Sequence, residues 1–176
     1  VTSGTAATTA ITDTTDTTTV TLSSTTAGAT VSEGGSIVYT ATVGAPVTGS
    51  PLVITLSNGD TITIPVNSST GSVTSTVRAD NVYEDADDNL SVTITGTTGG
   101  NYEAIATAGT VTNTVEDDAD STTLSLSATG TVAEGGSIVY TATLTNPAGT
   151  AMTVTLSNGA VINIAANASS GTVTVA

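Results

Sequence analysis

The sequence predicts an all-β protein built from tandem immunoglobulin-like antiparallel β-sandwiches, about 100 residues per repeat. Three observations carry this. The chain is rich in Thr, Val and Ser, residues that suit a pleated, half-buried surface. Its apolar residues alternate with polar ones in short runs bounded by Gly, Pro, Asn and Asp. And it repeats itself: VSEGGSIVYTATV at 31–43 returns as VAEGGSIVYTATL at 132–144.

The repeat sets the boundaries. LVITLSNGDTITIPVNSSTGSVTSTV at 52–77 matches MTVTLSNGAVINIAANASSGTVTVA at 152–176, and ITDTTDTTTVTLS at 11–23 matches VEDDADSTTLSLS at 115–127. Residues 1–16 therefore read as the last strand and linker of a preceding repeat. Residues 17–120 read as one whole repeat, and 121–176 as the first half of the next. The opening VTSGTAATTA has no Met and no signal-peptide pattern, and reads as an internal cut from a longer chain. A second reading of these ends is strand exchange, in which the lone first strand of one copy completes the half-sandwich of another.

Within the whole repeat, strands are expected at 18–23, 29–32, 36–43, 52–57, 61–66, 71–78, 89–96 and 104–115. In 38–43, Tyr39, Ala41 and Val43 share one face and Val38, Thr40 and Thr42 the other. Leu90, Val92 and Ile94 form an apolar face of their strand, and Tyr39 and Tyr140 are expected in the core. Asn58-Gly59 and Asn158-Gly159 predict type I′ hairpin turns, which need positive φ at both residues. No segment reads as a helix.

Charge excludes much. There are 15 acidic residues and one basic one, Arg78, for a net charge of −14, and no His or Cys. One Arg cannot neutralise a phosphate backbone, so nucleic acid is excluded as a partner. Cys/His zinc sites, disulfides and Cys or His nucleophiles are impossible. A glycosidase carboxylate pair is disfavoured in a chain without Trp or Phe to stack sugars, and no enzymatic activity is expected. No apolar run is long enough to span a bilayer.

The acids cluster by segment. Glu33 lies in the connection between the strands at 29–32 and 36–43, with Glu134 its repeat equivalent. Asp80, Glu84, Asp85, Asp87 and Asp88 crowd the connection after 71–78. Glu116, Asp117, Asp118 and Asp120 follow the last strand of the repeat, with Asp13 and Asp16 the equivalents of Asp117 and Asp120. Alternating strand directions bring these connections to one pole of the first repeat. Two bare carboxylates about 4 Å apart repel by about 1 kcal/mol even in bulk water. A counter-charge must come from solution, and irregular loops offering hard oxygen ligands suit Ca²⁺ better than Mg²⁺. All thirteen acids just named are candidate metal ligands.

The V-x-E-G-G runs at 31–35 and 132–136, the acidic DNVYEDADD at 80–88 and the exit VEDD at 115–118 resemble calcium-binding immunoglobulin-like repeats of the Calx-β type. Such repeats stand in tandem in the extender regions of giant bacterial adhesins secreted by type I systems, the RTX and biofilm-adhesin class. The resemblance implies Glu33, Asp80, Asp85, Asp87, Asp117 and Asp118 as ligands. It also implies an extracellular, cell-surface spacer whose partners are neighbouring repeats of the same polypeptide. The glycine-rich RTX nonapeptide is absent. Two alternative roles are an adhesive module that binds a glycan or host protein, and a subunit of a strand-exchanged filament.

Overall fold

In the computed structural model, which describes residues 8–176, every regular element is a β-strand. The chain divides into two compact units: residues 1–79 with 87–116, and residues 80–86 with 117–176.

The first unit is a nine-stranded sandwich. Its strands are β1 (Thr17–Ser24), β2 (Thr30–Ser32), β3 (Ser36–Val43), β4 (Leu52–Leu56), β5 (Thr61–Ile64), β6 (Thr70–Thr76), β7 (Asp88–Gly99), β8 (Ala104–Ala108) and β9 (Thr110–Glu116). One sheet runs β6-β3-β1-β8 and the other β2-β9-β7-β4-β5. The expected alternation holds in β3: Ile37, Tyr39, Ala41 and Val43 are buried, and Val38 and Thr42 are exposed. These four side chains meet Val20 and Leu22 of β1, Leu52, Ile54 and Leu56 of β4, Ile62 and Ile64 of β5, and Val92 and Val111 in one core. β7 takes one extra residue opposite β4, where Thr55 pairs Gly96 but Leu56 pairs Ile94. This bulge keeps Val92 and Ile94 turned inward while the strand bends.

Two local expectations are corrected. The single last strand expected at 104–115 is two strands in different sheets. β8 runs parallel to β1, whereas β9 pairs with β7 and β2. The switch falls at Gly109, whose φ is +93° and whose Cα lies against the Leu22 backbone. An L side chain there is strained by the dihedral and has no room. Gly109→Ala should cost the first unit about 1–3 kcal/mol, read as a lowered urea midpoint at unchanged slope. An unchanged midpoint would show that the crossover tolerates a Cβ.

The Asn-Gly turns are not type I′. Of the pair only Gly59 has positive φ (+92°), its N–H donates to Leu56 O at 3.1 Å, and the Leu56 N–H donates to Asp60 O at 2.9 Å. This is a three-residue loop with a glycine bulge, and Leu156 to Ala160 repeat it in the second unit. The strand expected within residues 1–16 reaches into residues that are not described. Residues 8–16 form no strand. Ile11, the one large apolar residue from 8 to 16, is 95% exposed.

The second unit holds β10 (Leu124–Ala128), β11 (Ile138–Leu144), β12 (Met152–Thr155), β13 (Val161–Ile164) and β14 (Ser170–Val175). They form sheets β10-β11-β14 and β12-β13 around Ala142, Leu144, Ala148, Ile162 and Ile164. Tyr140 packs against this cluster. These strands correspond to β1, β3, β4, β5 and β6. Leu124 and Leu126, the counterparts of the buried Val20 and Leu22, are 44% and 55% exposed.

Candidate metal centre

The first unit spends its one cation at the V-x-E-G-G turn. Gly35 N–H donates to Ser32 O, closing the turn, and Glu33 N–H donates to Glu116 O at 2.9 Å. The Glu33 side chain is wholly buried, and Arg78 Nε donates to its Oε2 at 2.8 Å. Arg78 Nη1 reaches Asp88 Oδ2 at 3.1 Å. Gly34 N–H donates to Arg78 O at 2.8 Å, which fixes the arginine's backbone as well. Glu116, at the end of β9, accepts from the Thr30 hydroxyl, and Asp87 is exposed.

The second unit gathers acids. Its segment Asp80–Ala86 is an irregular loop held by its own side chains. Asn81 Oδ1 accepts from Tyr83 N–H at 2.8 Å, and Asn81 Nδ2 donates to Asp85 Oδ2 at 2.6 Å. The Tyr83 hydroxyl donates to Pro147 O at 3.3 Å, and its ring lies against Gly149, where a Cβ would stand 3.0 Å from it. A hollow beside it is lined by Val82, Tyr83, Glu84 and Asp117–Asp120.

Asp80, Asp118 and Asp120 each offer a carboxylate oxygen, all within 4.8 Å of one another, and oxygens of Asp85 and Asp117 are equally close. Carboxylates at that separation repel unless a cation sits among them, and these clusters could hold a metal ion. Two sequence segments, the loop at 80–86 and the exit at 117–120, thus meet as topology implied. Among the described residues, Asp13, Asp16, Glu84, Asp87, Asp88, Glu116 and Glu134 join no such group. The residues that sequence reasoning missed are Asn81 and Tyr83, which shape the loop. Tyr83 stands alone as an aromatic in an acidic run, and that was the available signal.

No curated protein matches the chain. A family model, the LapA domain, matches residues 16–118 and again residues 120–176. The chain belongs to the LapA domain family, a domain associated with biofilm adhesins, and carries two successive matches to it.

Proposed function

We propose that these repeats are non-catalytic spacer modules of an extracellular, type I-secreted bacterial adhesin, stiffened by Ca²⁺ at their acidic loops and linkers. The observation that carries this reading is the convergence of Asp80, Asp118 and Asp120, and of Asp85 with Asp117, in a chain whose one basic side chain, Arg78, is already engaged by Glu33 and Asp88. Ca²⁺ accepts six to eight oxygens in flexible geometry, which suits two irregular segments offering carboxylates and backbone carbonyls. Binding couples to order, because the ion holds the loop at 80–86 to the linker at 117–120 only when both are in place. Low calcium inside the cell would leave the linker loose for export, and high calcium outside would set it.

A glutamate-specific serine protease tests this, since Glu84 and Glu116 lie in and beside the two segments. Millimolar Ca²⁺ should protect both bonds strongly, and Asp118→Asn with Asp120→Asn should abolish the protection. Equal cleavage with and without the ion would remove the calcium role.

A further inference from the structure

A cavity of about 410 Å³ opens between the two sheets of the first unit, where the edge strand β6 parts from β7. That volume lies within the range of small-ligand sites. Ile37, Leu90, Val92 and Val115 supply apolar walls, and Asn58 and Asp60 of the β4–β5 turn stand at its rim. Arg78 and Asp88 lie on the same lining, already joined to each other.

Two groups in this cavity are left without the partner their chemistry calls for. Tyr39 is only 1% exposed, yet its hydroxyl has no hydrogen-bond partner among the described residues. A buried phenol ordinarily finds one. Burial, and then the negative charge of Asp60, hold its proton more tightly than usual. Asp60 receives the Asn58 amide at 2.7 Å but no ion pair among the described residues.

The second repeat shows that the turn does not need this carboxylate. Ala160 replaces Asp60 there, and the turn keeps the two hydrogen bonds that involve the backbone at this position: Leu156 N–H to Ala160 O at 2.8 Å, and Ala160 N–H to Asn158 Oδ1 at 3.1 Å. The turn thus does not depend on Asp60, which lines a cavity that also holds a phenol without a protein hydrogen-bond partner among the described residues.

We propose that this cavity binds a primary ammonium group on a short apolar stem, the cation against the Asp60 carboxylate and the Tyr39 hydroxyl oxygen, the stem against Ile37, Leu90 and Val92. An ammonium ion supplies three donors and a compact positive charge, which answers both orphaned groups at once. A divalent metal fits less well, because Asp60 and a few neutral oxygens, with Asp88 already paired to Arg78, fall short of the six or more ligands it prefers.

The test is an amide NMR titration of the full chain with n-butylammonium chloride, in saturating Ca²⁺ so that the acidic loops are occupied. Saturable shifts are expected at Asp60, Ser75 and Val92. Asp60→Ala, a change the second repeat already accommodates, should weaken binding about tenfold or more, the effect of losing a charged hydrogen bond. Tyr39→Phe should cause a smaller loss, and 1-butanol should bind at least about tenfold more weakly than the cation. An N-acetyl-lysine methylamide arm separates the sources: saturation there means a partner's lysine side chain can enter, and saturation with butylammonium alone means a free small amine. Absence of saturable shifts in the wild type would overturn the proposal. So would undiminished binding to Asp60→Ala, or equal binding of butanol.

Discussion

Stripping divalent ions with EDTA should lower the melting temperature of the chain by about ten degrees or more, and returning Ca²⁺ should restore it. Asp80, Asp118 and Asp120 place three carboxylate oxygens within 4.8 Å of one another. The only basic side chain, Arg78, is already engaged by Glu33 and Asp88. Without a cation each close pair of charges opposes the fold by about 1 kcal/mol or more. With one, a ligand at a hundred times its dissociation constant adds about 2.7 kcal/mol. For a domain of this size each kcal/mol moves the midpoint by about 4–8 °C. The shift should appear in the transition of the second unit, which contains both acidic segments. Mg²⁺ at equal concentration should move it less, since the loops do not impose an octahedron and Mg²⁺ gives up its waters reluctantly. A melting curve indifferent to EDTA would leave the acids as a solvated face.

The parts of the fold that depend on period were legible in the sequence. Residues 36–43 alternate apart from the outward-facing Val38, and burial of Ile37, Tyr39, Ala41 and Val43 follows that alternation. The parts that depend on a partner were not. Whether Asn58-Gly59 spans two residues or three is decided by register, and Thr55 pairs with Thr61 because that register buries both Ile54 and Ile62. Only the glycine is then left with positive φ. The break at Gly109 depends on how closely the chain passes Leu22, which lies 87 residues earlier. Thr30–Ser32 is a strand because β9 lies beside it, and its counterpart at 131–133 forms none.

The candidate site divides in the same way. Chain order and strand alternation were enough to bring the loop at 80–86 to the exit at 117–120. They were not enough to choose among thirteen acids. That choice rests on short contacts, such as Asn81 holding Asp85 and Tyr83 seated on Pro147 and Gly149. Asp60 carried a signal of its own, being the one acid amid the strands of the first repeat and an alanine in the second.

Replacing Arg78 with alanine should destabilise the first unit by about 3–5 kcal/mol, measured by urea denaturation in EDTA so that no metal can take the arginine's place. The Glu33 carboxylate is fully buried, and Arg78 Nε meets it at 2.8 Å. Truncating the arginine leaves a charge in the interior without its cation, and the chain holds no other Lys, Arg or His that could move in. The backbone bond from Gly34 N–H to Arg78 O survives the change, so the loss isolates the side chain. Glu33→Gln alone should cost less, because the neutral amide can remain hydrogen-bonded without a counter-charge. The double variant Glu33→Gln, Arg78→Ala should recover part of the single Arg78→Ala loss, since the orphaned charge is then gone. That ordering separates a buried ion pair from simple loss of the arginine's packing, which would make the double variant no better than Arg78→Ala. Asp88→Asn supplies the exposed contrast. Its carboxylate is 56% exposed, and an exposed pair is worth at most about 1 kcal/mol. If Asp88→Asn proved as damaging as Arg78→Ala, the stabilisation would lie at the mouth of the turn rather than at its buried glutamate.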